Sequence, residues 1–156
     1  MKKLLSIFAA TVLSVSAYAQ SPKFNVNFIK TKQQIKGTWG DWSPNWVAPT
    51  KSTYIQISMI TENRVYNIRY YENNVKVRDI DVSYNDTKTK SIRSAWDNQN
   101  VWCYKINDSN DDWVFLKGPG AFGDLYRNPQ KWMSSNDASI YFMDDEKFPG
   151  KWIVVK

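Results

Sequence analysis

Tryptophan is the residue type in this chain that is best suited to contact a ligand. The sequence contains eight Trp, and Trp39, Trp42 and Trp46 stand close together with Gly and Pro between them. Gly and Pro interrupt regular strands, so we expect a loop here, and indole rings on a loop form a platform for a sugar ring or an apolar ligand. We therefore predict a ligand-binding site at Trp39, Trp42 and Trp46, joined by Trp132. The alternative, which the high average burial of Trp favours, is that one or two of these rings close the core.

The chain lacks the residues of the commonest catalytic and metal sites. It has no His, which removes the usual general base, the Ser-His-Asp and Cys-His pairs and the usual zinc ligand. Cys103 stands between two aromatic residues on a predicted strand, which indicates a small buried apolar group. Asp79 and Asp81 share one strand face, as a glycosidase pair could, but Lys76 and Arg78 nearby indicate surface ion pairing. We expect a non-catalytic protein without cofactor or metal.

Two segments match ligand-binding motifs in part. Residues 118–123 follow the G-x-G-x-x-G pattern of dinucleotide sites, but Pro119 removes one of the amides and the predicted surroundings contain no βαβ unit. Residues 108–112 alternate oxygen ligands as a calcium loop does, but Trp113 occupies the position that requires Gly. We interpret both segments as ordinary loops.

The first residues indicate export. Residues 1–19 combine a basic start, an apolar run and Ala17-Tyr18-Ala19, the pattern of a cleaved secretory signal peptide. The apolar run is too short for a permanent membrane span. We expect residues 20–33 to form an N-terminal arm or first strand and residues 34–156 a single all-β domain, located in the periplasm or the medium and without a membrane span.

Charge and cysteine content limit the expected classes of binding partner and the possible sources of stability. The formal net charge is +6, with basic and acidic residues interleaved along the chain, so no basic stripe indicates nucleic acid. One cysteine permits no intramolecular disulfide, and packing must supply the stability. The expected partner is an unidentified small ligand or a secreted or envelope protein.

Residues 53–84 carry the clearest strand pattern. Polar and apolar residues alternate in 53–60 and again in 64–71, and the polar segments 61–63 and 72–74 read as tight turns. The third strand, 75–84, changes its inward face around Arg78 and Asp79. A β-bulge there would explain the change, and bulges bend a sheet toward closure.

The rest of the chain predicts more short strands. They lie at 90–96, 101–106, 113–117, 138–143 and 151–156, and Pro129 interrupts a short helical turn within 124–133. We see no convincing amphipathic helix. The predicted fold is an all-β antiparallel meander of about eight or nine short strands, as a small barrel or alternatively a β-sandwich.

Gly37-Thr38-Trp39, followed by a meander of hairpins, resembles the calycins, the lipocalin-type and avidin-type small β-barrels. The resemblance implies a closed barrel in which Trp39 plugs one end and a small ligand occupies the other.

Three functions are consistent with the sequence. The first is an exported, non-catalytic binding module that holds a small apolar or sugar ligand near the Trp cluster. The second is an interaction module for a secreted or envelope protein, of inhibitor or immunity type, and the third is a small outer-membrane barrel. A binding barrel predicts a Trp- and Tyr-lined cavity of at least roughly 300 Å³. A protein-interaction module predicts a filled core and an exposed apolar patch.

Overall fold

The computed structural model describes residues 21–32, 34–35, 38–39, 43–62, 64–109, 112–133, 138–143 and 150–155. The predicted signal peptide at residues 1–19 and Trp42 lie outside the described residues. Ten strands and three short helices occupy the described ranges: β1 (Lys23–Lys32), β2 (Gln34–Ile35), β3 (Thr38–Trp39), β4 (Thr53–Thr61), β5 (Val65–Glu72), β6 (Val75–Tyr84), α1 (Asp86–Trp96), β7 (Val101–Ile106), β8 (Trp113–Lys117), α2 (Phe122–Arg127), α3 (Pro129–Met133), β9 (Ser139–Met143) and β10 (Gly150–Val155).

Eight of the strands form a closed antiparallel barrel. Each strand from β4 to β10 pairs with the next one along the chain, and β1 pairs with β4 on one side and with β10 on the other. The predicted all-β meander is confirmed as a barrel, and the sandwich alternative is not adopted. Strand β3 pairs with β2 in a separate two-stranded sheet, so Thr38 and Trp39 of the calycin-like motif lie in no barrel strand.

The predicted three-strand unit is confirmed as β4, β5 and β6. Asn73 and Asn74 form its tight turn with φ values of 50° and 64°, as a type I′ hairpin requires. Tyr70 pairs with Arg78 and Tyr71 pairs with Lys76, which leaves Val77 as an extra residue on β6. The predicted bulge is therefore present, one residue before the expected position.

The predicted strand at 90–96 is wrong, because these residues belong to helix α1. The Asn85 side chain caps the helix by accepting the Lys88 N–H at 2.8 Å, and Asp97 ends it in the left-handed conformation. One side of the helix lies on the outer face of the barrel, where Thr89 is buried and Ile92 packs against a cluster that contains Cys103. The helix therefore depends on capping and on tertiary packing more than on its own apolar residues.

Helices α2 and α3 close one end of the barrel. They connect β8 to β9. The β4–β5 turn lies at the same end of the barrel, and so does α1, which connects β6 to β7. Phe122, Leu125 and Trp132 of these helices are fully buried and join the barrel core. The helical turn predicted within 124–133 is confirmed, and Pro129 separates it into the end of α2 and the start of α3. Of the loop predicted at 118–123, residues 118–121 are irregular, whereas Phe122 and Gly123 belong to α2. Across the described ranges, none of the helices has the length and apolar character needed to cross a membrane.

The interior of the barrel is packed with side chains. The inward residues of the strands and the plug from α2 and α3 form one cluster whose members are almost completely buried: Phe24, Val26, Ile55, Ile57, Tyr66, Ile68, Tyr70, Ile80, Val82, Tyr104, Ile106, Val114, Leu116, Phe122, Leu125, Trp132, Ala138, Ile140 and Phe142.

Candidate functional site

The predicted tryptophan site is only partly within the described residues. Trp132 is 1% exposed and lies in the plug of the barrel, so for this residue the core interpretation is confirmed. Trp46 is 37% exposed, and the Lys30 ammonium lies 5.0 Å from its ring centroid. Trp39 is described as backbone of β3 alone, and Trp42 lies outside the described residues. Trp46 and Trp132 thus occupy different environments, one on the surface and one in the core.

An aromatic cleft opens at the plugged end of the barrel. Its volume is about 180 Å³, and β5, β6, β7 and the start of α2 supply its walls. We call this site the aromatic cleft and define it by its lining residues: Tyr66, Tyr84, Trp102, Tyr104, Ala121, Gly123, Asp124 and Arg127. It is smaller than the roughly 300 Å³ that we expected of a binding barrel, which limits an occupant to about one ring.

Buried aromatic rings form the floor of the cleft. Tyr104 and Phe122 have ring centroids 4.4 Å apart, and Tyr66 meets Tyr104 edge to face at 5.8 Å. The Phe122 N–H donates to the Tyr104 hydroxyl at 3.0 Å, which ties the plug to β7. Burial raises the pKa of Tyr104 far above that of a free tyrosine, so this phenol stays neutral. The floor is therefore a fixed, uncharged aromatic surface.

Two partly exposed rings form the walls. Tyr84 packs edge to face on Tyr104 with centroids 5.5 Å apart, and Trp102 packs beside the barrel core. The Arg93 guanidinium of α1 lies 5.2 Å from the Trp102 ring centroid and donates from Nε to the Val101 carbonyl at 2.8 Å. A cation over an indole ring restrains its orientation. Tyr84 and Trp102 are thus held in place while part of their surface remains accessible.

The rim of the cleft is polar, and each of its charged groups has a hydrogen-bonding partner. Arg127 Nη2 lies 3.1 Å from Glu62 Oε1, and Asp124 Oδ2 accepts the Ala121 N–H at 3.1 Å. Burial raises the pKa of Tyr66; Arg127 opposes this effect, and Asp124 and Glu62 add to it. The phenol of Tyr66 therefore lies within the field of all three charged groups and stays protonated at neutral pH. The rim can donate and accept hydrogen bonds without a dominant charge.

A second depression adjoins the cleft. It has a volume of about 480 Å³ and is lined by Arg64, Val65, Ser83, Tyr84 and Asp86. We call it the polar groove. Tyr84 lines both depressions, so the cleft and the groove meet at one aromatic side chain.

The other reactive side chains considered from the sequence lie elsewhere. Burial raises the pKa of the Cys103 thiol to about 11, and α1 covers this residue on the outside of the barrel. Asn67 donates to both Asp79 and Asp81, at 2.7 and 2.9 Å. Lys76 pairs with Asp79 at 2.9 Å, and hydrogen bonds from Lys76 and then Asn67 lower the pKa of Asp79. Asp79 therefore takes part in the surface ion pairing that we predicted, and Asp81 accepts a hydrogen bond from Asn67.

Comparison with known proteins gave no relative. No family model, curated protein or solved structure matches the chain. Function must therefore be inferred from the aromatic cleft and the surfaces around it.

Sequence reasoning did not identify the cleft. Tyr66 and Tyr84 lie at the apolar positions of alternating strand patterns, and such a position indicates core packing alone. Both side chains also line the cleft beside α2. They do so because the barrel closes and β8 leads into the plug at this end. A cluster of Tyr and Trp at the ends of predicted strands was the available signal.

Proposed function

We propose that this protein is an exported, non-catalytic β-barrel binding module that holds one sugar ring in the aromatic cleft. The observation that carries the proposal is the pair of partly exposed rings, Tyr84 and Trp102, which face a one-ring volume above a polar rim. Sugar rings present C–H faces that pack on aromatic side chains and hydroxyl edges that need hydrogen bonds. The cleft offers both kinds of surface.

The charge balance of the rim favours an uncharged polar ligand. Glu62 is paired with Arg127, and Asp124 is engaged by the Ala121 N–H. A paired carboxylate and guanidinium can still accept from and donate to hydroxyl groups, and hydrogen bonds to charged groups are stronger than neutral ones. A purely apolar ligand would instead cover these charged groups without offering them hydrogen bonds.

The barrel topology agrees with the calycin resemblance, but the filled interior places the proposed site at the end of the barrel. Eight antiparallel strands in meander order form the closed framework that those barrels use around a small ligand. In this chain the proposed site lies beside the plug from α2 and α3, at the rim of the barrel.

Export is proposed from residues 1–19, and N-terminal sequencing of the secreted protein should find Gln20 first.

Calorimetric titration of the mature protein with monosaccharides tests the proposal. The panel contains glucose, galactose, mannose and N-acetylglucosamine. We expect at least one of them to bind and expect Trp102→Leu or Tyr84→Ala to weaken its affinity by about fivefold or more, since stacking on an aromatic ring contributes on the order of 1 kcal/mol or more. Trp96→Ala and Tyr71→Ala are the matched controls, because both rings are accessible on the outer surface and away from the cleft.

Binding that is lost equally in the control variants would contradict the cleft as the site. The absence of heat for every sugar, with the circular dichroism spectrum intact, would overturn the sugar-binding proposal.

Exposed apolar side chains on β1 and on the segment paired with it favour a second candidate, a protein-interaction module of inhibitor or immunity type. Phe28, Trp46 and Val47 are 47%, 37% and 57% exposed, and paired hydrogen bonds between Ile29 and Val47 bring the two segments together. Trp46 lies in this region, and the ligand platform predicted at Trp39, Trp42 and Trp46 remains a prediction. Capture of a secreted protein by the wild type, abolished by Phe28→Ser and retained by Trp102→Leu, would support this candidate over sugar binding.

The outer face of the barrel disfavours the third candidate, a membrane barrel. Asn67, Asp79 and Asp81 form a hydrogen-bonded group on the outside of β5 and β6, and Arg69 donates to Ser58 at 2.8 Å beside it. Strands of an outer-membrane barrel carry an apolar outward band.

A further inference from the structure

The polar groove extends the aromatic cleft in one direction. Both are lined by Tyr84, so a ligand that leaves the cleft past this ring enters the groove directly. The cleft admits about one ring, whereas the groove has a volume of about 480 Å³ and room for another unit. The two depressions are therefore adjacent and share one aromatic wall.

The groove presents hydrogen-bonding groups beside apolar surface. Asp86 accepts from the Tyr84 hydroxyl at 3.5 Å with one oxygen and pairs with Lys90 at 3.0 Å through the other. Ser83 donates to Asn107 at 2.6 Å, which leaves lone pairs of its hydroxyl oxygen as acceptors. The Arg64 guanidinium adds donors, and Val65 and the Tyr84 ring supply apolar surface. An uncharged unit that carries several hydroxyl groups matches this surface.

The backbone beside the groove argues against an extended peptide. Val65 pairs with Ser83 across β5 and β6, and the Tyr84 N–H donates to the Arg64 carbonyl at 2.9 Å. Strand β5 is also paired with β4 on its other side. A peptide that binds by strand addition needs an open sheet edge, and the closed barrel offers none at this position.

We propose that the ligand is a linear oligosaccharide of at least two units, with one unit in the aromatic cleft and its neighbour in the polar groove. This inference rests on the proposed function, because it requires the cleft to bind a sugar. Tyr84 contacts both units, and Arg64 contacts the unit in the groove alone. The site therefore prefers chains over single sugars.

Titration with matched oligomer series tests this arrangement. The series are glucose, maltose and maltotriose; glucose, cellobiose and cellotriose; and N-acetylglucosamine with its β-1,4-linked dimer and trimer. For the series that binds, we expect the dimer to bind at least about tenfold more tightly than the monomer. Arg64→Ala should remove most of this gain and leave the affinity for the monomer unchanged, whereas Tyr84→Ala should weaken both. Lys51→Ala, which removes an exposed cation from the opposite end of the barrel, is the control and should change neither affinity.

The outcomes separate the two proposals. A monomer that binds as tightly as its dimer, or an Arg64→Ala effect of equal size on both, overturns the groove as a subsite and leaves sugar binding in the cleft standing. If no series binds, the sugar-binding function fails and this inference fails with it. Tighter binding of an extended Gly-Ser peptide than of any saccharide also overturns the inference.

Discussion

Gly118→Ala should strongly destabilise the plugged end of the barrel. Gly118 is buried where β8 leads toward α2, and its φ of 157° favours glycine. A Cβ atom added there would lie 2.5 Å from both Cη2 and Cζ3 of Trp132. Trp132 is itself fully buried, so its ring has no free space to move into.

The expected cost combines two effects. Overpacking a filled core costs roughly 1–3 kcal/mol, and a strained backbone conformation adds about 1 kcal/mol or more. We therefore expect Gly118→Ala to lower the free energy of unfolding by about 2–4 kcal/mol. For a domain of this size, a loss of that amount lowers the melting temperature by roughly 6–16 °C.

Urea unfolding of the two single variants and the double variant tests the mechanism. Trp132→Phe removes the part of the indole ring that meets the new methyl group. The double variant Gly118→Ala/Trp132→Phe should then be more stable than the sum of the single losses predicts, by about 1 kcal/mol or more. Strict additivity of the two changes would refute the clash as the cause, and a Gly118→Ala variant as stable as the wild type would refute the packing of the plug.

Three further predictions concern α1 and the β5–β6 turn. Cys103 should resist a thiol reagent in the folded protein and react fully in denaturant. The unfolded thiol loses its proton from pH 9 and the folded thiol near pH 11. The free energy of unfolding should therefore fall between these pH values in the wild type, and should fall less in Cys103→Ala. Thr89→Val leaves the buried Cys103 N–H without its 2.9 Å acceptor and should cost about 1–3 kcal/mol in urea unfolding, whereas Thr89→Ser should retain most of the stability. Asn74→Ala should cost about 1 kcal/mol because Asn74 has a φ of 64°, and Asn74→Gly should not; equal losses would contradict the turn assignment.

Local patterns predicted the strands well. Alternating burial in β4 and β5 follows the alternation of the sequence, and the change of parity along β6 correctly indicated a bulge, which lies at Val77. Such features depend on neighbouring residues alone, so a single sequence contains them.

Helix α1 and the aromatic cleft depend on contacts between residues that are distant in the sequence. Local sequence patterns therefore did not predict them. The helix carries few apolar residues, and Thr89 is buried in it because its hydroxyl reaches the Cys103 N–H on β7. The cleft joins β5, β6, β7 and α2, whose side chains converge only after the barrel has closed. Trp132 is buried, as Trp residues are on average. Tyr84 lines the cleft because it lies at the plugged end of the barrel.

The most direct test of sugar binding in the cleft is a titration followed by nuclear magnetic resonance of the tryptophan indole N–H groups. The signal of Trp102, assigned by its loss in Trp102→Phe, should shift saturably when the best-binding saccharide is added. The signal of Trp96, which packs on Phe115 outside the barrel, should not move. An unchanged Trp102 signal at a sugar concentration that saturates the calorimetric titration would contradict the account, because the sugar would then bind elsewhere.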